Sequence, residues 1–323
     1  MSVAEPPSSD DDGVMDEAFD EFDLIARIRA TAGSDPRVPL GIGDDAAVLQ
    51  GASGGRWLVA ADMLLEGRHF EIATATPQQI GRKALAVNLS DLAAMAGRPV
   101  AAFVTVAHHR RYGTSFAKSV HAGIARLADE FQVVIAGGDT NVWDGPLVVS
   151  VTLFGEIVGD RAVSRHGARP GDRVFVTGPL GGSLRSGRHL SFPPRQHEAQ
   201  ALHTAVDLHA MIDVSDGLVA DLGHICEQSG VAAILHADAI PIAAAVERDR
   251  GDSSPVEHAL TDGEDFELAF CVGPDDADRL RRNPPNGVVA YEVGEIVPGD
   301  GVRVLDATGE SLSFNSTGWK HRW

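Results

Sequence analysis

Phe22, Ile25 and Ile28 recur at helical spacing and the pattern stops at Gly33, which predicts a short amphipathic helix closed by a glycine. Trp57 to Ala61 is an apolar run that predicts a strand ending at Asp62, a position at the mouth of a strand where site residues gather. Thr76-Pro77-Gln78-Gln79 is a helix start: threonine caps, proline takes the first helical position, and glutamine at the third completes a capping box. Ile80, Ala84 and Val87 then share one face, and a further step of four brings Asp91 onto it, with Asn88 three residues earlier. A carboxylate on an apolar stripe is costly unless something meets it. Backbone donors or a metal ion would each do so.

A second helix is predicted after Thr114 from Phe116, Val120, Ile124, Leu127 and Phe131. The chain then turns extended from Gln132 to Ala136 and is expected to break at Gly137-Gly138-Asp139-Thr140, leaving Asp139 just past a strand. Together with Trp57 to Ala61, the runs Val100 to Ala107 and Leu147 to Phe154 give this half strands with few hydrophilic interruptions. One face of such a sheet needs cover, and a homodimer would supply it. Further on, strands are expected at Arg173 to Thr177, Met211 to Asp213 and Phe266 to Cys271, with helices near 195–208 and 218–228. The string Gly155-Glu156-Ile157-Val158-Gly159-Asp160 returns almost unchanged at Gly294-Glu295-Ile296-Val297-Pro298-Gly299-Asp300, which suggests two similarly built halves. The turn-rich segment Arg165 to Asp172 places the boundary near residue 160, giving domains 19–160 and 161–323. Residues 1–18, with Ser8-Ser9-Asp10-Asp11-Asp12, are expected to be a disordered acidic tail.

The charge balance narrows the partners. With 27 basic against 46 acidic residues, the chain is poorly suited to a phosphate backbone or an anionic membrane surface. Cys226 and Cys271 are too few for a disulfide framework or a cysteine zinc site, so a reducing compartment fits. No apolar run approaches the roughly 18 residues of a membrane span, and no secretory leader opens the chain. A soluble cytoplasmic protein is expected.

Acidic clusters carry the chemistry: Gly43-Asp44-Asp45, Asp62, Ser90-Asp91, Gly138-Asp139-Thr140, Asp213-Val214-Ser215-Asp216 and Gly263-Glu264-Asp265. Carboxylates beside glycine or hydroxyl residues suit a hard, oxygen-liganded cation such as Mg²⁺, and several such ions around ATP would neutralise both the aspartates and the triphosphate. Other motifs fail. Gly41-Ile42-Gly43-Asp44-Asp45-Ala46 matches a dinucleotide fingerprint, but two aspartates stand where the pyrophosphate would lie. No Walker P-loop exists, and Lys83, Lys118 and Lys320 are the chain's lysines. His197-Glu198 lacks a second histidine, because position 201 is Ala. Asp213-Val214-Ser215-Asp216-Gly217 has Asp rather than Gly at the first position of a G-x-S-x-G elbow, so Ser215 reads as a helix cap or a phosphate contact. His108-His109, beside Arg110-Arg111, reads as a solvated surface loop.

Taken in order, Gly41 to Ala46, Asp62 to Phe70 (DMLLEGRHF), Lys83 to Ala94 (KALAVNLSDLAA), Gly137 to Thr140, Asp213 to Leu218 and Asp262 to Leu268 (DGEDFEL) closely resemble the thiamine-monophosphate kinases of the aminoimidazole ribonucleotide synthetase superfamily. The likeness runs from about residue 20 to residue 323. It implies a two-domain α+β fold with N-terminal sheets pairing in a homodimer, and direct in-line phosphorylation of thiamine monophosphate by ATP with several Mg²⁺ ions. Carried over by residue, it implies Asp45, Asp62, Asp91, Asp139, Asp213 and Asp216 as metal ligands. Gly138, Asp139, Arg165 and Ser215 would contact ATP, and His69, Glu264 and Trp319 would hold the acceptor. No catalytic base is implied. The chain departs from the family at Ala60-Ala61, where a Ser or Thr ligand is usual, at Arg68, and in its ending Gly318 to Trp323. The competing readings are another ATP-dependent synthetase of the superfamily and a non-catalytic nucleotide-binding regulator.

Overall fold

A computed structural model describes residues 21–51, 54–248, 253–314 and 318; the acidic tail and Trp319 lie outside them. The first helix is present as α1 (Glu21–Thr31), with Ile25 and Ile28 exposed. It belongs to a different unit from Ser34–Trp319, which holds every other element.

Five strands make the first sheet: β1 (Ala47–Gln50), β2 (Arg56–Leu65), β3 (Arg98–His109), β4 (Val134–Trp143) and β5 (Val148–Glu156), in the order β1-β2-β5-β3-β4. All neighbours are antiparallel except β3 and β4. Helices α2 (Pro77–Ala94) and α3 (Gly113–Glu130) cover one face, where Leu58, Ala102, Val149, Val151 and Leu153 meet Ile80, Val120, Ile124 and Leu127. The opposite face carries Trp57, Met63 and Phe103, all exposed, with the Phe103 ring edge-on to Phe154.

The second sheet is formed by β6 (Arg173–Val176), β7 (Leu208–Asp213), β8 (Ala232–His236), β9 (Leu268–Val272), β10 (Tyr291–Val297) and β11 (Gly301–Leu305), in the order β11-β8-β10-β6-β9-β7. Its helices are α4 (Ser183–Ser186), α5 (Gln196–Ala205), α6 (Leu218–Ser229), α7 (Ala244–Arg248), α8 (Pro255–Thr261) and α9 (Pro274–Arg282). Both faces are buried. Along β9, Ala269 and Cys271 enter the core with α6, while Leu268, Phe270 and Val272 enter a second one with Leu202 of α5 and Leu280 of α9. That is why these strands read as unbroken apolar runs. The architecture is α+β.

Helix α2 joins the two layers. Its capping box forms as read, Thr76 accepting from the Gln79 N–H and Gln79 accepting from the Thr76 N–H. Small side chains let it be buried nearly all round: Ala84 and Ala86 pack in the first core, Ala93 and Ala94 against Phe175, Met211 and Phe270.

Two breaks expected from the sequence do not occur. Strand β2 continues through Asp62 to Leu65, so Asp62 lies inside the sheet, paired with Val151. Strand β4 runs straight through Gly137 to Thr140, so Asp139 is mid-strand. The glycine serves close approach rather than a turn: Gly138 has φ +148°, and a Cβ there would lie 1.7 Å from the Val104 carbonyl oxygen. The repeated string covers the end of β5 and the end of β10, both central strands antiparallel to their two neighbours, and the turn after each.

Candidate active site

Four aspartates from separate elements converge. The turn before β1 supplies Asp45, mid-β2 supplies Asp62, the last turns of α2 supply Asp91, and the end of β7 supplies Asp213. Carboxylate oxygens of Asp45, Asp91 and Asp213 lie within 4.8 Å of one another. Asp62 is hydrogen-bonded to Asp91 and feels the Asp45 charge. Ser90 Oγ donates to Asp213 Oδ2 at 2.6 Å, tying α2 to the second sheet.

The electrostatics follow from this crowding. Burial pushes the Asp213 carboxyl up to about 8, Asp45 adding to the rise while Ser90 and Arg165 oppose it. Asp91 is raised well above the carboxylate range by burial and then by Asp62, Asp213 and Asp45. Asp44 rises to about 6 through burial and Asp45. Arg165 is the counter-charge: its Nη2 lies 2.7 Å from Asp45 Oδ1 and its backbone N–H donates to Asp44 Oδ2 at 3.2 Å. Asp45 Oδ2 and Asp62 Oδ2 are nonetheless buried without a hydrogen-bond partner among the described residues. Buried, orphaned carboxylate oxygens are unfavourable as they stand, and an all-oxygen set of this kind fits a hard divalent cation such as Mg²⁺.

The loop after β7 carries Ser215 and Asp216. Ser215 does not cap α6: the cap position is Gly217, and Asp221 Oδ2 accepts from the Asp216 and Gly217 N–H groups at 3.0 and 3.1 Å. A carboxylate reaching back from the first turn replaces the hydroxyl cap, leaving the Ser215 side chain for another role. The Ser215 carbonyl accepts from the Glu264 N–H at 2.7 Å, and Val214 O accepts from the Phe266 N–H at 2.8 Å. The DGEDFEL segment is thereby laced to this loop.

His69 and Glu264 are brought together by a residue that sequence reasoning left without a role. Lys83 Nζ donates to the His69 carbonyl at 2.8 Å and to the Glu264 carboxylate, from a side chain with 0% exposure. Its position three residues after Ile80, on the apolar stripe, was the available signal. Burial pulls the ammonium down and Glu264 pulls it back; burial raises Glu264 and Lys83 opposes that. Also unassigned was Glu267, buried between Arg195, which makes bonds of 2.7 and 2.6 Å, the Thr177 hydroxyl and Arg188.

Asp139 stands apart. It pairs with Thr105, which pairs with Ser150, which pairs with Met63, whereas the adjacent row runs from Gly138 through Val104 and Val151 to Asp62. Asp139 is thus three strand spacings, roughly 14 Å, from β2. Its carboxylate accepts from the Thr140 N–H and Asn141 Nδ2, both at 2.9 Å. Gly138 and Asp139 instead line a cavity of about 700 Å³ between α3 and the β3–β4 edge, with Val104, Ile135, Lys118 and His121. His108 borders it too, buried with Nδ1 unpartnered among the described residues, and so is not the solvated loop residue read from the sequence.

The chain is similar to known proteins along most of its length. Residues 43–157 match the AIR synthase related protein N-terminal domain and residues 169–307 its C-terminal domain. The chain is 39% identical over 310 residues to a thiamine-monophosphate kinase of Rhodopirellula baltica, covering 93% of this chain and 97% of that one. Among solved structures, AaThiL complexed with AMPPCP and TMP superposes with a TM-score of 0.80 at 31% identity, covering 94% of this chain and 97% of its own. The thiamine-monophosphate kinase of Stenotrophomonas maltophilia gives a TM-score of 0.72 at 36% identity, covering 90% and 98%. Within the described residues, no helix is long and apolar enough to cross a membrane.

Proposed function

The chain belongs to the thiamine-monophosphate kinase family of AIR synthase related proteins and is a phosphotransferase, and from that premise we propose that it phosphorylates thiamine monophosphate to thiamine diphosphate with ATP. The observation that carries the proposal is the convergence of Asp45, Asp62, Asp91 and Asp213 from both sheets, with two orphaned carboxylate oxygens and Arg165 alongside. Binding of AMPPCP, an ATP analogue, and TMP by AaThiL supports the substrate pair.

In this reading Asp45, Asp62, Asp91 and Asp213 hold Mg²⁺, with Asp216 as a further ligand. Bound there, the cations neutralise the triphosphate and the charge that develops on the transferring phosphoryl group. Arg165, anchored on Asp45, contributes fixed positive charge, and Ser215 offers a hydroxyl to the phosphates. Gly138 and Asp139 belong to the ATP side: the cavity they line has apolar walls and room for a nucleobase. His69, Glu264 and Trp319 hold the acceptor. An oxygen of its phosphate attacks the γ-phosphorus in line as the bond to the β,γ-bridging oxygen breaks, releasing ADP. That oxygen is already ionised near neutral pH, so positioning and charge neutralisation suffice without a general base.

Two further parts of the reading concern assembly. The first sheet ends at Glu156 and the second begins at Arg173, which supports a domain boundary near residue 160. The exposed Trp57, Met63 and Phe103 support a homodimer that covers the open face of the first sheet. The functional test is turnover by the purified protein: thiamine diphosphate from thiamine monophosphate, ATP and Mg²⁺. Tight ATP binding with no turnover would favour a regulator instead.

A further inference from the structure

We propose that Lys83 is a positioning residue of the acceptor site, a buried ammonium that holds the His69 turn and the Glu264 loop in one arrangement. The proposal rests on the reading of His69 and Glu264 as acceptor contacts. Its geometric basis is a single nitrogen that binds two segments far apart in the chain, at separations of 14 and 181 residues. Replacing a buried ion pair as a whole by apolar side chains of similar volume often leaves stability unharmed, whereas removing one partner strands the other charge. The charge therefore has its use in what it orients.

Both segments need orienting. Gly263, Glu264 and Phe266 have φ of +71°, +59° and +51°. Non-glycine residues are rarely left-handed, and they persist there only where the surroundings over-determine them. Two backbone hydrogen bonds to residues 214 and 215 fix the path of this loop, and Lys83 fixes where its carboxylate points. At the other end, the Leu65 N–H donates to His69 Nδ1 at 3.0 Å and the His69 N–H donates to Leu65 O at 3.0 Å, so the turn is closed on itself. The bond from Lys83 to the His69 carbonyl then sets that closed turn against α2. Truncating the ammonium frees a charged acceptor and an adjoining turn together, while leaving the aspartate cluster and Arg165 in place.

The test is a kinetic comparison of Lys83→Met, Glu264→Gln and the double variant, each with its melting temperature. Loss of a charged hydrogen bond predicts a rise of roughly 10-fold or more in acceptor KM for Lys83→Met, with KM for ATP within about 2-fold. Because Lys83 acts through Glu264, the double variant should match the worse single variant instead of multiplying the two effects. The double variant also removes both buried charges, so it remains informative if Lys83→Met does not fold. An unchanged acceptor KM in folded Lys83→Met, while Glu264→Gln raises it, would overturn the positioning role. Fully multiplicative effects would overturn it as well. An acceptor KM unchanged in Glu264→Gln itself would instead remove the acceptor-site reading on which the proposal stands.

Discussion

Replacing Asp91 by Asn should stabilise the metal-free protein while destroying its activity. The carboxylate oxygens of Asp45, Asp91 and Asp213 lie within 4.8 Å of one another, and Asp62 adjoins Asp91. At an effective dielectric of about 20, two full charges at that distance repel by about 3.5 kcal/mol. The net gain is smaller, because burial already favours protonation of these carboxyls and Asp62 shares a hydrogen bond with Asp91. A stabilisation of about 1–3 kcal/mol remains, a rise of about 2–6 °C in Tm for a chain of this size. Mg²⁺ at about 100 times its Kd should stabilise the unaltered protein by about 2.7 kcal/mol, and the variant should lose most of that gain. Its kcat should fall roughly 10²-fold or more. Differential scanning fluorimetry in EDTA and in Mg²⁺, alongside a turnover assay, reads all three quantities. A lower metal-free Tm with the Mg²⁺ response and turnover intact would refute the reasoning.

Asp139→Asn should also lose about 10²-fold in kcat, through ATP and without the rise in metal-free Tm, since Asp139 stands apart from the crowded carboxylates; near-normal turnover would remove it from the site. Without metal, stability should fall as pH rises from about 4 to 8: Asp44, Asp265 and Asp213 have folded values near 6, 7 and 8 against an unfolded value of 3.8, so the folded state binds more protons across that window. A Tm in EDTA that climbs over this range would contradict those shifts. Phe103→Glu should convert a dimer to a monomer in sedimentation at micromolar concentration, whereas one-chain mass in the unaltered protein would count against the dimer itself. Trp319→Ala should raise the acceptor KM with ATP KM and Tm nearly unchanged; a large drop in Tm alone would make Trp319 a packing anchor.

Much of this was legible because local signals and tertiary structure agree. The capping box at Thr76 and the stripe Ile80, Ala84 and Val87 fixed α2, and extending the stripe placed Asp91 inward, where the cluster forms. Strand ends were misread where a polar or glycine residue looked like punctuation. β2 runs on past Asp62 because β5 pairs with it as far as Leu65, and Gly137-Gly138 stay within β4 because β3 approaches closely. Lys83 and Glu267 escaped notice because their meaning lies in partners 181 residues away and 72 to 90 residues away. No periodicity within one segment encodes such pairings. Asp139 shows the converse: its motif resembles the other acidic turns, yet ladder register alone separates it from them.

The central claim is phosphoryl transfer to the acceptor phosphate, and phosphorus NMR of the reaction tests it directly. Purified protein with ATP, Mg²⁺ and thiamine monophosphate should yield thiamine diphosphate and ADP in equal amounts, with no inorganic phosphate intermediate and no reaction in EDTA. ATP consumption that releases only inorganic phosphate, or no diphosphate product at any Mg²⁺ concentration, would contradict it.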